Sequence, residues 1–263
     1  MSAGVDWEPG QYERFKGERA RPFHDLVALI HPIDGGSAVD LGCGTGELTA
    51  HLHRQVRAGH TVGIDSSVTM LARSSEFAGN GLSFRPGDIA DFDASDELDL
   101  VAANASLQWL PDHEQLLARL TRALRPGGQL AIQVPYNGDH PSHRLIDVIA
   151  GQEPFASRLK EPPLRDPTHS VLTPERYATL LHELGFDEQT VRMQVYGHVL
   201  ESTGAIVEWT SGTTLTPVRA RLDEAQYEEF VDRYRAALID ELGEQRPYFY
   251  AFKRVLFWAR RQA

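Results

Sequence analysis

Val39-Asp40-Leu41-Gly42-Cys43-Gly44-Thr45-Gly46 is the stretch on which the fold is decided. The apolar run Ala38–Leu41 enters a loop with glycine at every second position, and a helix-period segment, Leu48–Val56, leaves it. Glycines let a backbone come close to a ligand, and the start of a helix offers unpaired N–H groups. Dinucleotide-binding loops occupy the same place with the spacing G-x-G-x-x-G, so glycine richness alone leaves the cofactor open. Here the spacing is G-x-G-x-G, with Asp40 two positions before the first glycine. That arrangement suits a cofactor without a pyrophosphate. Asp40 is then a candidate partner, directly or through water, for a cationic aminoacyl end. Gly42 and Gly44 are the candidate loop contacts. Cys43, inside the loop, reads as a small apolar side chain.

Apolar runs at Thr61–Ile64, Leu82–Arg85, Leu98–Ala103 and Gln129–Val134 continue the pattern. Helix-period segments, Val68–Ser75 and His113–Leu124 among them, alternate with these runs, which predicts a parallel sheet with helices on both faces. Arg125-Pro126-Gly127-Gly128 ends the last of these helices and turns the chain into the fifth strand. The ends of the strands carry polar residues in a repeating position. Asp65, with Ser66 beside it, closes the second strand about twenty residues after the loop, where a carboxylate accepts from both hydroxyls of a ribose. Asp88 and Ile89 follow the third strand, suited to accept from an adenine amino group and to pack on its ring. Asn104-Ala105-Ser106 ends the fourth strand, with Asn104 and Ser106 placed to line the rest of the cofactor. Ligands in open α/β sheets bind at this edge. In order and spacing the four motifs resemble the class I S-adenosylmethionine-dependent methyltransferases, which implies S-adenosyl-L-methionine as cofactor.

The second half is less regular. Five prolines between 154 and 174 make Gln152–Thr173 an irregular connection. Thr173-Pro174-Glu175-Arg176 opens a helix to Leu184, ended by Gly185. Gln194–Leu200 and Val255–Ala259 supply two further strands. The expectation is therefore a Rossmann-like, seven-stranded, mostly parallel sheet in a single domain over 1–263. Between the last two strands lie about fifty residues, 201–250, more than a hairpin needs. They carry helices near Ala205–Thr210 and Glu224–Leu242, and are expected to form a helical cap over the substrate or an interface. Residues 1–30 are expected to form an N-terminal helical flap.

The chain has 263 residues, a formal net charge of −11 and a single cysteine. Excess negative charge argues against nucleic acid or an anionic membrane as partner. No run reaches the roughly 20 apolar residues of a membrane span, and the polar start does not read as a signal peptide. One cysteine fits a reducing cytoplasm. No Cys/His cluster has zinc-site spacing, so no metal is expected.

The segment Trp7-Glu8-Pro9-Gly10-Gln11-Tyr12-Glu13-Arg14-Phe15-Lys16-Gly17-Glu18-Arg19-Ala20-Arg21-Pro22 resembles the start of trans-aconitate methyltransferases. So do Asn104-Ala105-Ser106-Leu107-Gln108-Trp109-Leu110-Pro111-Asp112-His113, Ala131–Pro135, Glu208-Trp209 with Thr216-Pro217, and Phe252 with Arg254. The resemblance implies methyl transfer to one carboxylate of trans-aconitate or a similar small polycarboxylic acid. It adds Tyr12 to the cofactor contacts, and makes Gln108 and Trp109 a wall beside the transferred methyl. No general base is required, because a carboxylate is already ionised at neutral pH. An acidic protein that binds an acidic substrate must concentrate cations locally. The candidates are Arg19, Arg21, Arg219, Arg221 and Arg246, with His143 after the fifth strand. The alternatives are methylation of another small acid or hydroxyl, a catalytically silent cofactor-binding protein, and an NAD-dependent oxidoreductase, against which the glycine spacing counts.

Overall fold

The computed structural model describes residues 16–160, 164 and 167–263. The elements run α1 (Lys16–Val27), β1 (Ser37–Leu41), α2 (Glu47–Gln55), β2 (His60–Asp65), α3 (Val68–Ser74), β3 (Leu82–Pro86) and β4 (Leu98–Asn104). Then come α4 (His113–Ala123), β5 (Leu124–Pro135), α5 (Pro141–Ala150), α6 (Ala156–Leu159), α7 (Pro174–Glu183) and β6 (Phe186–Leu200). The chain ends with α8 (Ile206–Ser211), α9 (Thr216–Arg219), α10 (Glu224–Leu242) and β7 (Tyr248–Arg261). The strands form one seven-stranded sheet in the order β3-β2-β1-β4-β5-β7-β6. The first five strands run parallel; β7 lies antiparallel to β5, and β6 antiparallel to β7. The winding reverses between β1 and β4, which makes the C-terminal ends of those two strands the switch point where such sheets bind ligands.

Period-two alternation sorts side chains between the two helix layers. Val101 and Ala103 of β4 and Leu130, Ile132 and Val134 of β5 pack under α4 and α7 against Leu117, Leu120, Tyr177 and Leu181. The intervening Leu100, Ala102 and Ala131 meet Phe23, Leu26 and Val27 of α1 and Leu52 of α2 on the other face. The last two strands exceed the expected Gln194–Leu200 and Val255–Ala259. β6 begins at Phe186, and its first turns read Asp187-Glu188-Gln189-Thr190, all exposed. A strand at the sheet edge presents polar residues to water, so apolar content underestimates its length.

The helix after Thr173 forms as its capping pattern predicts, with the Thr173 hydroxyl accepting from Arg176 N. The expected irregular connection before it contains the short α6 and a 3-10 turn at Pro167–Ser170. The insertion between β6 and β7 holds α8, α9 and α10. Phe230, Tyr234 and Leu238 recur at four-residue spacing on α10 and are fully buried, with Trp209, Tyr250, Phe252 and Ile146 in the same cluster. The insertion is thus joined to the sheet through the start of β7 and through α5. The described part of the expected flap includes the helix α1. Phe23 and Leu26 of α1 are 2% and 1% exposed, so this helix is a wall of the core. Residues 1–15, which carry the rest of that expectation, lie outside the described residues. Among the described residues no helix is long and apolar enough to cross a membrane.

Phe230 lies edge-on to Phe155, ring centroids 5.1 Å apart, at the centre of the insertion's core. Phe230→Ala should therefore destabilise the protein by about 3–5 kcal/mol. Urea denaturation checks this, with a loss below about 1 kcal/mol marking the insertion as loosely attached.

Candidate functional site

Three hydrogen-bonded contacts assemble the predicted motifs at the C-terminal edge of the sheet. The Gly-rich loop turns back on β2, with the amides of Gly42 and Cys43 both donating to Ile64 O. Gly42 has φ +82°, and a Cβ there would stand 2.3 Å from the Ser106 Cβ. Only glycine allows this approach. Ser106 in turn donates its hydroxyl to Leu41 O at 2.6 Å, which ties the end of β4 to the end of β1. Asp65 holds the third contact. Its carboxylate accepts from Gly44 N and from Ser67 N, each at 2.8 Å, and so fixes the loop and the turn after β2 together. A carboxylate has about four acceptor sites. The remaining ones, beside the exposed Ser66, suit ribose hydroxyls.

Asp88 is exposed and caps the 3-10 turn Ile89–Asp91, accepting from Ala90 N at 2.8 Å. Ile89 reaches the same cradle, its Cδ1 3.7 Å from where a Gly42 Cβ would be. Asn104 ends β4 with its Oδ1 buried and unpartnered among the described residues. The 3-10 turn Leu107–Trp109 is pinned from below by His113. The His113 Nε2 donates to Leu107 O at 3.0 Å, and its Nδ1 lies 2.5 Å from the Tyr177 hydroxyl. Burial lowers the His113 pKa, in keeping with a neutral ring in this role. Gln108 is buried and donates to Ala105 O at 2.8 Å, with Oε1 unpartnered among the described residues. Trp109 is half-buried beside it.

Asp40, expected to partner a cationic group directly or through water, lies buried beneath the loop. It is 4% exposed, and its carboxylate accepts from Thr49 of α2 at 2.6 Å. Burial pushes its pKa up to about 6, partly opposed by the Thr49 hydrogen bond and reinforced by the charge of Asp65. It stands behind the loop and holds α2 to β1. Cys43 is buried, and burial together with Asp40 and Asp65 pushes its thiol pKa up, so it is an inert loop residue.

The substrate candidates are dispersed. Arg219 donates from Nη1 to Glu224 at 2.9 Å and lies over the Tyr227 ring. Arg246 has a 74% exposed side chain and pairs with Glu244 at 3.0 Å. Both are corrected to surface ion pairs, as a chain rich in carboxylates favours. Arg221 is half-buried, and Arg21 is exposed, 5.7 Å from the Tyr196 ring centroid. Tyr12 and the side chain of Arg19 lie outside the described residues. His143 is corrected from a loop position to a buried one on α5, with its ring 6.4 Å from that of Phe252.

Sequence reading missed a polar network where β5, α5 and the insertion meet. The Ser142 Oγ lies 2.7 Å from the Tyr250 hydroxyl, which also receives Asn137 Nδ2 at 3.2 Å. Tyr234 donates to Ser142 O, and His140 caps α5 and reaches the Tyr248 hydroxyl. Burial pushes the His140 pKa down to about 4. Arg254 on β7 is 7% exposed and bonded to Gln133. In sequence it stands out only through the resemblance at Phe252 and Arg254, because its partner Gln133 comes from β5.

Asp40 gives this site a pH signature. Its folded pKa lies above the ordinary 3.8, so the native state binds the proton more tightly than the unfolded chain. Stability contributed by the neutral carboxyl is present at low pH and declines as pH rises through about 6. Asp40→Asn should lack that decline and gain roughly 2–3 kcal/mol relative to the native protein at neutral pH. Urea denaturation at acidic and neutral pH checks it; parallel stability curves for the two proteins would show an unshifted carboxyl.

A methyltransferase-domain family matches residues 39–132, which hold the Gly-rich loop and the first five strands up to Ile132. The trans-aconitate 2-methyltransferase of Deinococcus radiodurans is 46% identical over 260 residues, covering 98% of this chain and 99% of that protein. That of Mycobacterium sp. (strain KMS) is 38% identical over 260 residues, covering 97% and 99%. Among solved structures, Haemonchus contortus phosphoethanolamine N-methyltransferase 2 in complex with S-adenosyl-L-methionine superposes with a TM-score of 0.59 at 16% identity. The match covers 100% of this chain and 58% of that one, and bears on the fold alone. From the loop geometry at the switch point and identity sustained over its whole length, the chain belongs to the trans-aconitate 2-methyltransferase family, and S-adenosylmethionine is its methyl donor.

Proposed function

We propose that this enzyme transfers a methyl group to one carboxylate of trans-aconitate, or of a similar small polycarboxylic acid, giving a monomethyl ester. The observation that carries it is the junction of the Gly-rich loop, Asp65 and Ser106 at the switch point, in a chain 46% identical to a trans-aconitate 2-methyltransferase. The bound cofactor supplies an electrophilic methyl on a sulfonium. The protein's own task is positioning. Gly42 and Gly44 admit the cofactor to the backbone, Asp65 and Ser66 hold its ribose, and Asp88 and Ile89 hold its adenine. Asn104 and Ser106 line the methionine portion. Gln108 and Trp109 form the wall beside the acceptor.

A carboxylate nucleophile needs no proton removed at neutral pH. Rate therefore comes from holding the acceptor in line and from excluding water, worth effective molarities on the order of 10⁵ M or more in favourable cases. His140, held neutral and engaged as a helix cap, fits a structural role. Residues 201–250 serve as the substrate cap, supported by their hydrogen bonds and packing to the β5–α5 connection at the ligand edge. The enzyme acts in the reducing cytoplasm, where the buried Cys43 stays a thiol.

Asp65→Ala removes an acceptor of ribose hydrogen bonds and frees Gly44 N and Ser67 N from their shared partner. The dissociation constant for S-adenosylhomocysteine should rise at least about tenfold. Calorimetry showing unchanged affinity would remove Asp65 from the site. With labelled cofactor, trans-aconitate should be methylated faster than dicarboxylates lacking one anchoring group; equal turnover of neutral acceptors would overturn the substrate assignment.

A further inference from the structure

Two buried glutamines stand on the same face of β5, four residues apart, and their surroundings differ. Gln129, at the end remote from the site, has partners at both polar atoms. Its Oε1 accepts from His31 N at 2.9 Å and Trp258 Nε1 at 2.8 Å, and its Nε2 donates to His31 O at 2.9 Å. Gln133, at the ligand end, is 0% exposed and accepts from Arg254 Nη1 at 3.1 Å, while its Nε2 has no partner among the described residues. Asn104 lies directly across from Gln133 in the β4–β5 register, with its own Oδ1 open. A buried donor left unmade costs free energy, and folded proteins leave few of them. Here the unmet groups sit on adjacent strands at the binding edge, and Arg254 brings a cation into the same stripe, its Cζ 4.9 Å from the Phe252 ring centroid.

We propose that Gln133 and Arg254 form the anchor for a carboxylate of the acceptor, the local cation that an acidic enzyme needs for an acidic substrate. This rests on the methyl-transfer function proposed above. The polarity of the stripe fits. The open acceptor, Asn104 Oδ1, is on β4 beside the cofactor cradle; the open donor, Gln133 Nε2, and the guanidinium lie beyond it, over β5 and β7. The cofactor's contacts run over β1, β2 and β3 and reach β4. Arg254 is three strands from β1, roughly 14 Å at about 4.8 Å per strand. That places it past the cofactor and within the acceptor's territory. A guanidinium suits this ligand because its planar fork matches a carboxylate.

The test uses Gln133→Glu, Gln133→Met and Arg254→Lys in the full chain, each read for S-adenosylhomocysteine affinity by calorimetry and for kcat and KM with trans-aconitate. Gln133→Glu keeps the side chain's shape, pairs with Arg254 and cancels both the charge and the donor; Gln133→Met removes the donor without a new charge. KM should rise at least about tenfold in Gln133→Glu, and less in the other two, with cofactor affinity within about twofold of the native protein. An unchanged KM in Gln133→Glu and Arg254→Lys overturns the anchor. So does a loss of cofactor affinity equal to the rise in KM, which would assign the carboxylate to the aminoacyl end of the cofactor. If the native enzyme does not methylate trans-aconitate, the proposed function fails separately. The anchor is then read by titrating trans-aconitate into the S-adenosylhomocysteine complex. Binding to the native protein that is lost in Gln133→Glu supports the anchor; binding that is equal in both, or absent from the native protein, overturns it.

Discussion

The hydroxyl of Ser106, donating to the Leu41 carbonyl at 2.6 Å, closes the sheet where β1 and β4 part, and the rest of the site is built on that closure. The winding of the chain reverses at this point, so the loops that leave the two strands diverge and expose a crevice. Without a tie, the Gly-rich loop would have no fixed wall opposite it. The tie is possible because Gly42 has no side chain to meet the Ser106 Cβ. Asp65 completes the frame from the other side, since its two oxygens each hold an amide of a different loop. A carboxylate placed this way holds the two loops together before any ligand arrives.

Charge is distributed in two regimes. On the surface the arginines find carboxylates, as Arg219 does with Glu224 and Arg246 with Glu244, and such exposed pairs contribute little. Arg254 belongs to the other regime, being enclosed beside Gln133, where low dielectric strengthens its field. Long-range repulsion between an acidic protein and an acidic ligand is screened over about 8–10 Å at ordinary salt. A buried cation is screened much less, which reconciles the overall sign with the proposed substrate.

The insertion between β6 and β7 illustrates how function is attached to this sheet. Its apolar residues do not close on themselves; Phe230, Tyr234 and Leu238 pack with Tyr250 and Phe252 of β7 and with Ile146 of α5. The hydroxyls of Tyr234 and Tyr250 then bind Ser142 from two sides. Any shift of the insertion is thereby felt at the connection that follows β5, next to the cofactor edge.

Local pattern was enough for the sheet, its strand-end motifs and the insertion, because glycines at alternate positions, period-two runs and caps such as Thr173 act over a few residues. It was enough, too, for the placement of Asp65, Asp88, Asn104 and Ser106 at one edge, since each closes a strand that runs the same way. It fell short at the polar ends of β6, where an edge strand looks like loop, and at Asp40, whose partner Thr49 is reached only when α2 folds back on β1. The arginines were the largest gap. Arg219 and Arg246 are conspicuous in sequence, yet they spend their charge on neighbouring glutamates, whereas Arg254 lies 121 residues from Gln133 and meets it only because β7 inserts antiparallel beside β5. Burial and pairing of a charge depend on contacts between distant segments, and those exist only once the sheet has closed.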